Sequence, residues 1–305
     1  MATRYVPGTL GEPDAYFQTN YSYATNRQIT MMKIAKHKKR KKYGQHFLKD
    51  ERVAEKIVSF ADIRRNEIVL EIGPGKGVLT SILFKYARKV IAIEIDNELV
   101  RYLERRFSNE AQNLNLIHED ILKYDLSIIS ERIKVIGNLP YSIGTRIIMH
   151  LINYREKFSE MLFMLQKEVA ERLVASPGTK DYGSLSIFIQ LYFSVEILMN
   201  IPPKSFSPPP KVFSALVKIK PKKQLFKRSD NPELFYKIVK IAFSHRRKKL
   251  RNNLKALPLL DHDLKKVSLE TGINFDVRGE MLSIKEYLKL TRSIGKIIKK
   301  NHVSN

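Results

Sequence analysis

Residues Val135 to Tyr141, in the order Val-Ile-Gly-Asn-Leu-Pro-Tyr, end an apolar strand-like run with an amide, a carbonyl stiffened by proline, and an aromatic ring. Those are the parts needed to methylate an exocyclic adenine amino group. Such a nitrogen is a poor nucleophile because its lone pair is delocalised into the purine. Two hydrogen-bond acceptors placed side by side favour a more pyramidal nitrogen. The side-chain oxygen of Asn138 can be one and the main-chain carbonyl of Leu139 the other, since Pro140 cannot lead the chain into a helix that would use them up. Pro140 also biases Leu139 toward an extended conformation that turns its carbonyl outward. The Tyr141 ring offers a face to a base flipped out of its stack. With a sulfonium methyl donor, positioning and hydrogen bonding can supply most of the catalysis, and no general base is obligatory. The same four residues also describe an ordinary turn after a strand, so the rest of the chain decides.

The elements around this segment follow an alternating β/α pattern. Glu67 to Ile72 is a buried strand ending in Gly73-Pro74-Gly75-Lys76-Gly77, with a helix-like segment after it. Glycines at such a turn let backbone approach a ligand closely. The Gly-x-Gly-x-Gly spacing departs from the dinucleotide pattern, and the Gly-Lys-Ser/Thr of a phosphate loop is missing. A strand from Lys89 to Ile95 places Glu94 where its carboxylate can accept from both ribose hydroxyls. A third, Leu114 to His118, leads to Asp120, which can accept from an adenine amino group. A fourth, Arg132 to Ile136, delivers Asn138. Taken singly, Glu94 or Asp120 reads more simply as a helix N-cap. Their recurrence at successive strand ends is what a ligand site in an open parallel sheet looks like.

Downstream, Met161 to Val174 runs from strand into helix and breaks at Ser176-Pro177-Gly178; Pro202-Pro203 and Ser207-Pro208-Pro209-Pro210 then bracket Lys204-Ser205-Phe206 and can hold the Phe206 ring rigidly. A helical face at Phe235, Ile238, Val239, Ala242 and Phe243 continues as Ser244 to Leu254, with five basic side chains in six positions: Arg246, Arg247, Lys248, Lys249 and Arg251. Charge at that density is suited to phosphates. A second basic run, Lys33 to Lys42, has seven Lys/Arg in ten residues, with Lys38, Lys39, Arg40, Lys41 and Lys42 at its end.

Across all 305 residues, Lys+Arg 55 against Asp+Glu 31 gives a formal charge of +24, which points to a polyanionic partner, nucleic acid first. No apolar run reaches spanning length, so a membrane partner is not expected. With no cysteine there is no disulfide or thiolate metal site, no metal is expected, and an interior, cytoplasmic location is the default. The expected organisation is a poorly ordered extension over 1–31, an α/β catalytic domain with its basic arm over 32–220, and a helical RNA-contacting domain over 221–305. Met31-Met32 leaves a later start or a leader as readings of the first segment.

Six blocks, in order, resemble the ribosomal RNA adenine dimethyltransferases, most closely the bacterial KsgA type: Tyr-Gly-Gln-His-Phe-Leu, Glu-Ile-Gly-Pro-Gly, Asn-Leu-Pro-Tyr, MLQKEVAERLVASPGTKDYGSLS, Phe-Ser-Pro-Pro-Pro-Lys-Val and FSHRRKKLRNNL. The likeness runs from about Lys39 to about Leu290. It implies a Rossmann-like class I methyltransferase domain with a small C-terminal helical domain. It further implies S-adenosylmethionine contacted by His46, Leu48, the glycine turn at Gly73 and Gly75, Glu94, Asp120 and Asn138. The target amino group would be held by Asn138 and Leu139, and the base sandwiched by Tyr141 and Phe206. The implied substrate is a pair of adjacent adenosines near the 3' end of 16S rRNA in the immature small ribosomal subunit, with the enzyme a monomer. The chain departs from the family's usual pattern at Ser142-Ile143-Gly144, which bears on the target pocket. Alternatives are a large-subunit methyltransferase of the macrolide-resistance type, a mainly non-catalytic assembly factor, and a DNA adenine methyltransferase.

Overall fold

The computed structural model describes residues 46–110, 112–223, 226 and 230–303. The expected extension, the basic arm with Lys38 to Lys42, and Tyr43 to Gln45 lie outside the described residues. The chain divides after Lys42, and Tyr43–Asn305 forms one compact unit.

That unit begins with a two-residue strand, β1 (Phe47–Leu48), and helix α1 (Glu51–Phe60), whose N-terminus is capped by the Asp50 carboxylate accepting from the Val53 amide. There follow β2 (Ile68–Ile72), α2 (Val78–Leu83), β3 (Lys89–Glu94), α3 (Asn97–Arg106), β4 (Leu114–His118), β5 (Ile133–Asn138), α4 (Gly144–Leu151) and β6 (Phe158–Gln166). β2 pairs in parallel with β3 and β5, β3 with β4, and β5 with β6. Helices cover both faces, so the central strands read as almost unbroken apolar runs; β5 is buried from Ile133 to Gly137. β4 lies at the sheet edge and is only half covered.

After α5 (Lys167–Val174) and α6 (Ser184–Tyr192), the sheet is completed by β7 (Phe193–Ile201) and β9 (Ser214–Pro221), both antiparallel to their neighbours. Between them β8 (Phe206–Ser207) pairs with β1 in a separate two-stranded ribbon. The seven-stranded order is β4-β3-β2-β5-β6-β9-β7. The chain reverses direction of winding between β2 and β5, and the carboxyl ends at that reversal are where open sheets of this kind bind ligands.

One polar link stands out in the apolar interior. Lys134 on β5, side chain 9% exposed, donates to the Ala61 and Asp62 carbonyls at the end of α1 and pairs with Glu67 at 3.0 Å. It thereby satisfies carbonyls that a helix end leaves without partners.

The C-terminal part comprises α7 (Pro232–Ala242), α8 (Leu250–Leu254), α9 (Asp261–Thr271) and α10 (Ile284–Val303). The loop from Ser176 to Gly183 joins it to the sheet. Gly178 N donates to the Glu280 carbonyl at 2.8 Å, and the buried Tyr182 hydroxyl to the Leu282 carbonyl at 3.1 Å. Arg246 donates to the carbonyls of Lys180 and Tyr182 at 2.8 and 3.0 Å. The continuous helix expected beyond Phe243 is corrected by the structure: α7 stops at Ala242, residues 243–249 form a non-helical turn and bend, and α8 is a separate short helix. The Asn253 side chain causes the break, donating to the carbonyls of Ala242 and His245 and folding α8 back onto the end of α7.

Candidate active site at the strand ends

The turn after β2 carries Gly73 at φ 68° and Gly75 at φ 57°, conformations that favour glycine. A Cβ on Gly75 would come within 2.9 Å of the Phe47 ring, so β1 lies directly against this turn. Lys76 adds its ammonium 5.6 Å from the centre of the same ring. Beside the turn, Glu94 at the end of β3 is 2% exposed. One carboxylate oxygen accepts from Gly75 N at 3.2 Å, the other from Ile95 N and Asp96 N at 2.9 and 3.0 Å. Burial raises its pKa, opposed by these three hydrogen bonds. A carboxylate has about four acceptor sites, and the backbone holds three of them here. As the site stands, Glu94 offers one acceptor where the sequence suggested two.

Asp120, after β4, is half-buried; one oxygen accepts from Leu122 N at 3.0 Å, and the other has no partner among the described residues. Nearby His150 on α4 has its Nε2 buried without a partner, and burial lowers its pKa.

At the end of β5, Asn138 donates its side-chain NH2 to the His46 carbonyl at 2.7 Å. The amide oxygen is therefore turned away from His46. Gly137 before it is required by packing, since a Cβ there would sit 2.7 Å from the Ile72 carbonyl on β2. The amides of Ile143 and Gly144, at the start of α4, both donate to Pro140 O, at 3.1 and 2.8 Å. The Leu139 carbonyl consequently has no hydrogen bond among the described residues. Its side chain, 1% exposed, anchors the turn in the core. Asn138 Oδ1 and Leu139 O are thus two acceptors on consecutive residues.

Tyr141 is held at its far end, where its hydroxyl shares a 2.5 Å hydrogen bond with Ser214 Oγ; burial raises its pKa. The ring beside it is His46, with centroids 5.3 Å apart and planes tilted by 33°. His46 is fixed in turn, donating from Nδ1 to the Pro208 carbonyl at 2.7 Å.

One expected contact is placed differently. Phe206 is 0% exposed and packs in the main core with Leu48, Ile57, Met164 and Leu216, leaving no ring face open to a base. The cause is its pairing with Leu48 in the β1–β8 ribbon, which turns both side chains inward. The Leu48 side chain, 6% exposed, also lies in the core, so the cofactor contact expected of this residue would run through its main chain. Ser214 and the Pro208 carbonyl, which fix the two rings, were not singled out from the sequence. A lone hydroxyl opening an apolar strand was the available signal, because a buried hydroxyl needs a partner.

The basic cluster also divides. Arg246 is committed to the Lys180 and Tyr182 carbonyls and pairs with Glu280 at 3.0 Å, while Lys249 and Arg251 both reach Asp276, at 3.3 and 3.2 Å. Arg247 and Lys248 are exposed and carry no ion pair among the described residues. Among the described residues there is no cluster of three or more His, Asp or Glu able to hold a metal, and no helix long and apolar enough to cross a membrane.

The strand-end set fits S-adenosylmethionine: a glycine turn open at Gly73 for close backbone approach, a buried carboxylate with an acceptor to spare, a second carboxylate oxygen without a partner among the described residues at Asp120, and an oriented amide. Comparison with known proteins gives the same assignment. Residues 36–296 match the family described as Ribosomal RNA adenine dimethylase. Ribosomal RNA small subunit methyltransferase A of Nitrosospira multiformis is 40% identical over 261 residues, covering 86% of this chain and 98% of that protein. The protein of the same name from Neisseria meningitidis serogroup B is 40% identical, covering 87% and 100%. The crystal structure of a dimethyladenosine transferase from Plasmodium falciparum superposes with a TM-score of 0.68 at 31% identity, covering 82% and 98%. Matched by the family model over residues 36–296 and by relatives over most of its length, the chain belongs to the ribosomal RNA adenine dimethylase family of S-adenosylmethionine-dependent methyltransferases.

Proposed function

We propose that this protein dimethylates the exocyclic amino groups of two adjacent adenosines near the 3' end of small-subunit ribosomal RNA, acting as a monomer in the cytoplasm on the immature subunit. The observation that carries this reading is the pair of acceptors at Asn138 and Leu139, kept available by His46 and Pro140. The names of the 40%-identical relatives support the small subunit over the large.

When bound, S-adenosylmethionine supplies a methyl group on a sulfonium. Glu94, Asp120 and the turn at Gly73 and Gly75 hold that cofactor. Asn138 Oδ1 and Leu139 O accept from the two N–H bonds of the target amino group, leaving its lone pair directed away from the acceptors. Once the nitrogen has gained one methyl and released one proton to solvent, one N–H remains, and either acceptor can hold it for the second transfer. Tyr141, fixed by Ser214, carries the base, with His46 as the neighbouring ring. Residues 221–305 serve as the RNA-contacting part through Arg247 and Lys248, and the arm Lys38 to Lys42 adds to it.

The test is mass spectrometry of nuclease-derived rRNA fragments after incubating the protein with isotopically labelled S-adenosylmethionine and, in parallel, immature small and large subunits. The expected product is labelled dimethyladenosine at adjacent positions. Label confined to large-subunit RNA, or to monomethylated adenosine after exhaustive reaction, would overturn the proposal.

A further inference from the structure

The segment between β8 and β9, Pro208 to Phe213, is fastened to the site at both ends. Its first carbonyl, on Pro208, accepts from His46, and the residue after it, Ser214, holds the Tyr141 hydroxyl. Between these anchors the chain exposes Lys211, Val212 and Phe213, with the two apolar side chains 43% and 51% exposed. The backbone beneath is not loose: the Phe213 carbonyl accepts from Lys167 N at 2.9 Å, at the start of α5. A large aromatic ring presented on a fixed loop has no role in the core. Consecutive Cα atoms lie 3.8 Å apart, so the Phe213 Cα is within about 9 Å of the Tyr141 hydroxyl, a span that two or three nucleotides cover at about 3.4 Å each.

We propose that Phe213 is a second stacking platform, taking the base of a nucleotide that flanks the adenosine held at Tyr141, with Lys211 meeting a phosphate of the same strand. The proposal rests on the RNA-methylating reading and gives it a substrate contact outside the catalytic pocket. Charge selects the partner: Phe213 follows two residues after the exposed Lys211, and its carbonyl accepts from the Lys167 amide, in a protein of formal charge +24. A polyanion with aromatic faces matches both features, and base–aromatic stacking is tolerant of sequence.

Stacking and phosphate contact differ in salt dependence, which makes the two roles separable. Binding of wild type, Phe213→Ala, Phe213→Leu, Phe213→Trp and Lys211→Ala to immature small subunits, and to a fluorescein-labelled single-stranded RNA with two adjacent adenosines, is titrated across a salt series. Phe213→Ala and Phe213→Leu are expected to lose about tenfold in affinity, with an unchanged log–log salt slope, a raised KM for RNA and a preserved kcat. Phe213→Trp keeps wild-type binding, and Lys211→Ala flattens the slope by about one unit. Wild-type affinity in Phe213→Ala overturns the proposal. Wild-type affinity in Phe213→Leu overturns it too, showing an apolar contact with a ribosomal protein rather than a base. If wild type methylates no small subunits, the functional reading fails, and binding to the single-stranded RNA still decides the stacking.

Discussion

Asn138 and His46, 92 positions apart, are joined by a single hydrogen bond in which the amide NH2 of one donates to the main-chain carbonyl of the other at 2.7 Å. That bond fixes which end of the amide faces the site, because only the nitrogen can donate. Asn138→Asp places an oxygen against the His46 carbonyl, and Asn138→Ala removes the acceptor. Both variants are expected to lose at least about 100-fold in single-turnover methyl transfer, as for other sites that lose a positioned hydrogen-bonding group. RNA affinity should stay near wild type. Undiminished methylation in Asn138→Ala would remove this residue from the mechanism.

Glu71, buried behind the glycine turn, makes stability depend on pH. Burial pushes its pKa from 4.5 up to about 7, opposed by the Thr80 hydroxyl donating at 2.7 Å and assisted by the charge of Glu94. Below about pH 4.5 the group is protonated in folded and unfolded chains alike and has no net effect. Between 4.5 and about 7 the unfolded chain releases a proton that the folded chain keeps, so this group lowers stability progressively as pH rises, and the full cost persists above 7. Glu71→Gln, which keeps a partner for Thr80, should therefore gain over wild type across that window, by up to about 3 kcal/mol at pH 8. Urea denaturation of both proteins at pH 5 and pH 8 measures the difference; an equal gap at the two pH values would refute the assignment.

Lys134 is expected to matter for folding and not for chemistry. Lys134→Met strips the end of α1 of its donor and leaves Glu160, 8% exposed, with only Lys218 and Lys220 at its side. A loss of about 3 kcal/mol in urea unfolding is expected, the low end for breaking a buried pair. The kcat of the remaining folded protein should be unchanged.

The basic turn after α7 should split into two kinds of residue. Arg247→Ala and Lys248→Ala should each reduce the log–log salt slope of RNA binding by about one unit. Arg246→Ala should leave the slope nearly alone and lower the melting temperature, because Arg246 is spent on the Lys180 and Tyr182 carbonyls and on Glu280. Equal slope changes for all three would show that Arg246 also meets phosphate.

What the sequence made legible was whatever depended on local pattern. The central parallel strands could be read because burial on both faces leaves continuous apolar runs, and Glu94 and Asn138 followed as the last residues of β3 and β5, with Asp120 two residues past β4. What escaped depended on pairings between distant segments. Nothing near Phe206 shows that it will oppose Leu48 and turn inward, nor that His46 will take the place beside Tyr141. The helix expected through Arg246 failed for the same reason: each residue from Ser244 to Lys249 tolerates a helix, and the break comes from Asn253 gripping the Ala242 carbonyl.

The loop from Ser176 to Gly183 is clamped to the C-terminal helices through Gly178, Tyr182 and Arg246. Phosphates docked on Arg247 and Lys248 would therefore lie at a set reach from Asn138, as on the two jaws of a caliper. An enzyme built this way would select its adenosines by how far they stand from a neighbouring fold of the RNA, and a substrate with the right letters at the wrong span would be refused.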